Sequence, residues 1–266
     1  MARQDELHIT SVQNTRVKGW AALLEKKHRD RSGSFLIEGV HLVQEALAEG
    51  AELECIVYDV VRGWPEELAQ TADVERVAAS RQIMGRCTGT DTPPPVFAVA
   101  RKRQPDSEAL YREGALVVVL DAVQDPGNVG TIIRSADAVG ADAVVLGRGC
   151  VDLYNPKTVR STMGSLFHLP VIEGDLLELL PEARNRGARL IGTSLQAQNS
   201  CYNQDWKPAT WVVMGSESRG LSSEVQALLD DTVRIPMRGG SESLNVAMAT
   251  TVLLFEAMRQ REYNQP

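Results

Sequence analysis

Apolar and polar residues alternate along the chain in blocks that predict an α/β protein. Short apolar runs such as Leu116–Leu120 and Ala143–Leu146 have the length and continuous hydrophobicity of buried parallel strands. Between them, a stretch from about Val129 to Val139 has helical spacing. Such alternation favours a parallel sheet with helices on both faces. Ligands bind sheets of this kind at the carboxyl ends of the strands, so the loops after the strands are the first place to look for chemistry.

The larger block of this alternation covers residues 115–266. Its remaining predicted elements are a helix near Pro156–Arg160, a strand around Leu166–Leu169, a helix at Asp175–Arg186, strands at Arg189–Gly192, Trp211–Met214 and Val233–Ile235, a helix around Ser222–Leu229 and a final helix at Leu244–Arg261.

Residues 1–100 are predicted to form a smaller α/β domain, joined to the larger one by a charged, proline-containing linker at 101–114. Its predicted strands are Phe35–Ile37, Leu53–Tyr58, Val74–Val77 and Val96–Val99, and its predicted helices are Asn14–Arg31, Gly39–Ala48 and a short one near Pro65–Thr71.

Composition narrows the class of protein. The chain has 266 residues, of which 43% are hydrophobic, and its net charge is −7. Apolar runs of bilayer length and a secretory signal are not visible in the sequence, so we expect a cytoplasmic protein. Four scattered cysteines favour reduced thiols and argue against zinc, and we expect no metal.

One segment departs from the overall acidity. Residues 1–35 hold seven Lys or Arg against four Asp or Glu. The basic residues of Asn14–Arg31 are compatible with an ordinary solvated helix face and with a local patch that binds phosphates.

Three loops after predicted strands carry glycines together with polar side chains. They are "DAVQDPGNVGTIIR", "VVMGSESRGL" and "IPMRGGSESLNVAMA". Asn128 in the first loop sits where a helix would be capped, and Arg134 lies six residues beyond it. Each loop alone is compatible with an ordinary turn. Together they place glycines, a carboxylate, an arginine and amides at one end of a sheet, as a small-molecule site requires.

Nucleotide-binding fingerprints that are missing from the sequence narrow the class of ligand. Neither the complete dinucleotide fingerprint nor a triphosphate-binding loop occurs in the sequence. Apolar positions between glycines suit a ligand with a flat base and a flexible polar tail.

The three motifs closely resemble those of the SpoU (TrmH-type) family of RNA ribose 2′-O-methyltransferases in the SPOUT superfamily. They are "NVGTIIR", "MGSESRGL" and "IPMRGGSESLNVAMA", in the family's order, and the likeness covers residues 115–262. The opening "ITSVQNTRVKGWAALLEKKHRDRSGSFLIEGVHLVQEAL" is similar to the family's L30e-like substrate-binding domain.

The resemblance implies a deep trefoil knot in 115–266, S-adenosylmethionine (AdoMet) as cofactor, and a homodimer formed through the knotted domain. It also implies site residues. Those expected to be catalytic are Asn128, Arg134, Glu217, Ser243 and Asn245; those expected to hold the cofactor are Thr193, Ser194, Leu195, Met214, Gly215, Ile235, Met237 and Leu244.

The implied substrate is RNA, foremost 23S rRNA, with a guanosine as one candidate target. A tRNA substrate and a non-catalytic RNA-binding or ribosome-assembly protein stay open as alternatives. Expected RNA contacts are Arg16, Lys18, Lys26, Lys27, Arg29, Arg31, Lys157 and Arg160.

The family assigns activation of the ribose hydroxyl to the arginine that matches Arg134. An arginine is an unusual base, because its pKa is above about 12. A perturbed base and a stabiliser of developing alkoxide charge are both compatible with the sequence. Asn128 is expected to orient Arg134, and His168 to be a packed strand residue.

Overall fold

The computed structural model describes residues 7–69, 74–105, 107–240 and 242–263, and these divide into two compact units. Unit 1 contains the chain up to Gln104 together with Asp152–Phe167, and unit 2 contains Pro105–Val151 and the chain from His168 onwards. The segment 152–167 therefore groups with unit 1, although the predicted boundaries assigned it to 115–266.

Unit 1 is built on a mixed five-stranded sheet. Its elements are β1 (Leu7–Ile9), α1 (Thr15–Ala22), α2 (Lys26–Ser32), β2 (Ser34–Glu38), α3 (Val40–Ala48), β3 (Leu53–Asp59), β4 (Arg76–Ala79), α4 (Arg81–Thr88), β5 (Val96–Arg101) and, from the later segment, α6 (Pro156–Thr162). The strand order is β1-β4-β3-β5-β2. Strands β1, β4 and β3 run parallel, and β5 pairs antiparallel with β3 and with β2.

Several predictions for this unit were wrong. The single helix predicted at Asn14–Arg31 is two helices, because the chain turns at Leu23 and enters α2 through Glu25 in an extended conformation. Helix α4 was missed altogether. The short helix predicted near Pro65–Thr71 is a 3₁₀ turn at Glu66–Leu68, and the end of that prediction lies outside the described residues.

Unit 2 is built on a seven-stranded sheet in which every pairing is parallel. Its elements are β6 (Leu116–Asp121), α5 (Pro126–Ala138), β7 (Ala143–Leu146), β8 (Val171–Glu173), α7 (Leu176–Asn185), β9 (Arg189–Thr193), β10 (Asn199–Ser200), β11 (Thr210–Gly215), α8 (Ser223–Gln226), β12 (Asp231–Arg234) and α9 (Val246–Glu262). The strand order is β10-β12-β9-β11-β6-β7-β8. The predicted parallel α/β fold of the larger block is confirmed.

The region before β8 corrects another prediction. The strand expected around Leu166–Leu169 is a 3₁₀ turn at Ser165–Phe167, and the strand itself comes later, at Val171. His168 is accordingly not a strand residue. Its Nδ1 lies 2.8 Å from Oδ2 of Asp137 on α5.

The helices of unit 2 bury the apolar strand residues in a regular way. Leu176 and Leu180 of α7 pack in one cluster with Val117 and Val119 of β6. Helices α5 and α9 pack against each other and are joined by a 2.7 Å hydrogen bond between the hydroxyls of Ser135 and Thr251. This packing fixes the N-termini of α5 and α9 next to the edge of the sheet where the strands end.

Within the described residues, no helix has the length and apolar character needed to cross a membrane. The four cysteines are free thiols, as predicted, and burial raises the pKa of Cys55 and of Cys87 to about 12.

Candidate active site at the carboxyl edge of the parallel sheet

The strand order explains why distant motifs meet. Strands β12, β9, β11 and β6 are neighbours in the sheet and all run in the same direction. Their carboxyl ends and the loops that follow them therefore lie at one edge. These strand ends and loops, with the first turn of α5, contain every predicted catalytic and cofactor-binding residue except Arg134, which lies further along α5.

A cavity of about 630 Å³ lies at this edge. Volumes of this size are typical of small-molecule sites. Its walls include all eight residues predicted to hold a cofactor and three of the predicted catalytic residues, which are Glu217, Ser243 and Asn245.

The wall formed by 215–221 depends on a glycine. Ser216 and Gly220 form an isolated antiparallel bridge, which folds the loop back on itself. A Cβ at position 215 would lie 2.1 Å from the backbone carbon of Gly220. No side chain fits there, so Gly215 is required for the tight loop that presents Glu217.

Asn128 joins two loops at the rim of the cavity. Its Nδ2 donates to Oε1 of Glu217 at 2.6 Å, and its Oδ1 accepts from Nδ2 of Asn245 at 3.0 Å. Oδ1 of Asn245 in turn accepts from the backbone N–H groups of Ala247 and Met248 at the start of α9.

The direction of this hydrogen-bond chain is fixed at both ends. A carboxylate can only accept, and a backbone N–H can only donate. Each amide between them must therefore present its nitrogen towards Glu217 and its oxygen towards α9. The chain ties together three elements that are far apart in sequence, namely α5, the loop after β11 and the N-terminus of α9.

One expectation about α5 needs correction. Asn128 is not the helix cap; Asp125 is, because its Oδ1 accepts from the N–H of Asn128 at 2.8 Å. The amide of Asn128 is engaged with Glu217 and Asn245, and the contacts described for it do not include Arg134. Arg134 is exposed on α5 and, among the described residues, is not part of the cavity lining.

The cavity wall also includes polar residues that the sequence motifs do not identify. Arg219 and Arg234 both line it, as do Gln196 and Gln226. Arg234 ends β12, directly before the predicted residue Ile235. Its position at a strand end of the parallel sheet was the signal that could have identified it.

The eight predicted RNA contacts all belong to unit 1, including Lys157 and Arg160 on α6. Lys18 and Arg31 are exposed. Others are exposed or half-buried and paired with acids: Arg16 with Glu75, Lys26 with Asp30, Lys27 with Glu25, and Arg160 with Glu38.

Arg29 is a correction, because its side chain is only 2% exposed. Its guanidinium donates to the carboxylate of Asp152 and, at 2.7 Å, to the carbonyl of Leu23. A group enclosed in this way is a structural ion pair within unit 1 and is not available to RNA.

The Arg160–Glu38 pair is asymmetric. Nη1 of Arg160 lies 2.5 Å from Oε2 of Glu38, and the Arg160 side chain is 48% exposed whereas that of Glu38 is 4% exposed. Burial raises the pKa of the Glu38 carboxyl, and the nearby guanidinium opposes that shift. The pair holds the Arg160 side chain against unit 1 while leaving much of it open to solvent.

Clusters of three or more His, Cys, Asp or Glu that could hold a metal ion are absent from the part of the chain that the structure describes.

Comparison with known proteins gives two family matches. Residues 115–255 match the model of the SpoU rRNA Methylase family, and residues 14–98 match the MRM3-like substrate binding domain.

Two relatives and one solved structure align over nearly the whole chain. The 23S rRNA (guanosine(2553)-2′-O)-methyltransferase RlmP of Bacillus subtilis (strain 168) is 38% identical, over 93% of this chain and 97% of its own. The 23S rRNA (uridine(2479)-2′-O)-methyltransferase of Streptomyces viridochromogenes is 37% identical, over 95% of this chain and 92% of its own. The crystal structure of the SpoU methyltransferase AviRb from Streptomyces viridochromogenes, in complex with AdoMet, superposes with a TM-score of 0.86 at 35% identity, over 93% of this chain and 98% of that one.

Proposed function

Because the chain belongs to the SpoU rRNA methylase family, we propose that it transfers the methyl group of AdoMet to a ribose 2′-oxygen of 23S rRNA. The observation that carries this proposal is the hydrogen-bonded chain from Glu217 through Asn128 to Asn245 at the rim of the cavity. It assembles one residue from each of the three motifs into a single site.

The cavity suits AdoMet in size and in chemistry. Met214, Ile235 and Leu244 provide apolar surface for a flat base, and the turn at Gly215 brings backbone close to the ligand space. Thr193 and Ser194 add hydroxyl groups on the wall at the end of β9, where they can hydrogen-bond a polar tail.

Bound AdoMet supplies an electrophilic methyl group on a sulfonium, and the transfer leaves S-adenosylhomocysteine and a proton from the ribose hydroxyl. The residues of this chain must align the hydroxyl for in-line attack and stabilise the charge that develops on its oxygen. We assign the second task to Arg134, whose exposed guanidinium lies on the helix that begins beside the cavity rim.

Ser243 and Asn245 lie on the cavity wall just before α9 and are proposed to position the ribose. Asn128 and Glu217 are proposed to hold the two neighbouring loops in register through their 2.6 Å hydrogen bond. Asn128 thus acts on the loops that surround the substrate, instead of orienting Arg134.

We propose that unit 1 recognises the RNA. Its candidate phosphate contacts are Lys18, Arg31, Lys157 and Arg160, all of which are exposed. Arg16, Lys26 and Lys27 remain candidates as well, because ion pairs of exposed groups contribute only about 0–1 kcal/mol and can be exchanged for phosphate contacts.

An rRNA substrate is favoured over tRNA because two of the relatives that align over more than 90% of the chain are named for 23S rRNA, and a third is named as a tRNA/rRNA methyltransferase. Of the two named for 23S rRNA, one is named for a guanosine and one for a uridine, so guanosine and uridine are the candidate target nucleotides. A non-catalytic RNA-binding protein is disfavoured by the presence of the whole Glu217–Asn128–Asn245 chain. An rRNA substrate also favours the cytoplasm.

We further propose a homodimer and a trefoil knot in 115–266, with 101–114 as linker. Support for the dimer comes from α9, where Met248 and Phe255 are 50% and 44% exposed and lie seven residues apart on one helix face. Support for the knot comes from the family resemblance and from the convergence of the loops after β9, β11 and β12 on one cavity.

The test is methyl transfer from tritiated AdoMet to rRNA and tRNA from cells that lack the gene, followed by mapping of 2′-O-methyl groups by resistance to alkaline hydrolysis. We expect tritium in 23S rRNA at a single alkali-resistant position. Label in tRNA alone would favour the tRNA alternative. Tight RNA binding without transfer at saturating AdoMet would refute the enzymatic proposal.

A further inference from the structure

Helices α1 and α4 of unit 1 contain basic residues and no acidic ones. Helix α1 reads TRVKGWAA and helix α4 reads RQIMGRCT. In a chain with a net charge of −7, two neighbouring helices free of acid form a local positive region.

The two helices pack against each other on the same core. Sγ of Cys87 on α4 lies 3.9 Å from the carbonyl oxygen of Val17 on α1. Val17 and Trp20 from α1 share a hydrophobic cluster with Ile83 and Met84 from α4. Because these apolar side chains turn inwards, the basic residues of both helices are left on the outside.

Lys18 on α1 and Arg81 and Arg86 on α4 are all exposed. The ion pairs found among the described residues include none of the three, whereas Arg16 on α1 is paired with Glu75. The α1/α4 face, defined as Lys18, Arg81 and Arg86, therefore carries three positive charges that nearby carboxylates do not neutralise.

We propose that the α1/α4 face binds the phosphate backbone of the RNA substrate. The proposal rests on the proposed function and extends it, because α4 brings two arginines that the motifs do not identify. The segment that matches a substrate-binding domain, residues 14–98, contains both helices. Exposed cations without acidic partners match a polyanion, and they require no particular base sequence.

The experiment compares two triple variants with the same loss of charge. The first, Lys18→Gln/Arg81→Gln/Arg86→Gln, removes the three positive charges of the α1/α4 face. The control, Arg101→Gln/Arg112→Gln/Arg186→Gln, removes three exposed arginines that are paired with Glu54, Asp142 and Glu182. Binding of a labelled 23S rRNA transcript is measured by fluorescence anisotropy at several KCl concentrations, and AdoMet affinity by calorimetry.

We expect the first variant to bind RNA at least about tenfold more weakly. The negative slope of log K against log salt is expected to become shallower by about two, since each phosphate contact contributes about 0.7 to 0.9 to its magnitude. The RNA affinity of the control variant is expected to stay within about twofold of that of the unmodified protein. Its three arginines are expected to make no phosphate contacts, so their replacement removes none. Arg81→Lys/Arg86→Lys, which keeps the charges, is expected to retain binding. AdoMet affinity is expected to be unchanged in all variants.

Wild-type RNA affinity and salt slope in the first variant would overturn the proposal, and so would an equal loss in the control. Failure of the proposed function has a different signature. In that case the unmodified protein transfers no methyl group to any RNA, whatever the α1/α4 variants do to binding.

Discussion

Asn128 and Glu217 are 89 residues apart in sequence, yet the amide of the first donates to the carboxylate of the second at 2.6 Å. The other end of the Asn128 amide accepts from Asn245. Asn128 is thus the junction between the loop after β11 and the start of α9, and its amide can satisfy both partners in only one orientation.

We predict that Asn128→Asp disrupts this junction, because it brings a second carboxylate against Glu217. The expected effect is a loss of about 0.5–1.5 kcal/mol of stability, the usual net contribution of a hydrogen bond, and roughly tenfold weaker AdoMet binding. Thermal unfolding and calorimetry measure the two effects.

The double variant Asn128→Asp/Glu217→Gln is the matched test. In this variant the new amide at position 217 can donate to the new carboxylate at position 128. The other oxygen of that carboxylate can still accept from Asn245, so much of the loss is expected to return. Losses that simply add in the double variant would show that the two side chains do not act through each other.

A second prediction concerns Arg134, which is exposed on α5 and outside the cavity lining among the described residues. Arg134→Ala is expected to lower the rate of methyl transfer by about 10²–10³-fold or more, as when a group that stabilises developing charge is removed. AdoMet affinity is expected to change less than about twofold. Single-turnover kinetics and calorimetry separate the two quantities.

Arg134→Lys tests whether Arg134 acts through its positive charge. A lysine keeps a positive charge near the oxygen, so partial activity is expected if Arg134 stabilises charge. A fall in AdoMet affinity as large as the fall in rate would instead assign Arg134 to cofactor binding.

Much of the larger sheet could be predicted because its strands are continuous apolar runs. Leu116–Asp121 and Thr210–Gly215 are buried along their whole length, which gives a local signal that needs no tertiary information. Helix α4 was missed because its apolar residues fill barely two turns and Gly85 interrupts them. Periodicity over so short a stretch is too weak to define a helix.

Features that depend on tertiary contacts could not be read from the sequence. The break between α1 and α2 has no glycine or proline to mark it; the guanidinium of Arg29 donates to the carbonyl of Leu23 at that break. In the sequence, Arg29 cannot be told apart from the other basic residues of Asn14–Arg31. Only its contact with Asp152, 123 residues later, identifies it as part of the interior.

This buried pair gives a third prediction. Asp152→Ala leaves the Arg29 guanidinium enclosed without a counter-charge, and removal of one partner of a buried ion pair typically costs about 3–5 kcal/mol. Hydrogen exchange of the β2 and β5 amides reports on unit 1 and measures the loss.

The control is Asp30→Ala, which breaks the contacts of Asp30 with Lys26 and Lys102. Asp30 and Lys26 are about half exposed, so a cost of about 0–1 kcal/mol is expected. Equal losses for Asp152→Ala and Asp30→Ala would contradict the structural role of the Arg29–Asp152 pair.

The last prediction concerns α9, whose Phe255 side chain is 44% exposed on the same helix face as Met248. If this face forms the dimer interface, Phe255→Glu places a charge in an apolar contact on both subunits at once, and dissociation is expected. Sedimentation velocity measures the oligomeric state.

Leu177→Glu is a matched control, because Leu177 is 50% exposed on α7 and the substitution is equally polar. We expect Phe255→Glu to sediment as a monomer and Leu177→Glu as a dimer; a monomeric unmodified protein, or a dimeric Phe255→Glu variant, would exclude α9 as the interface.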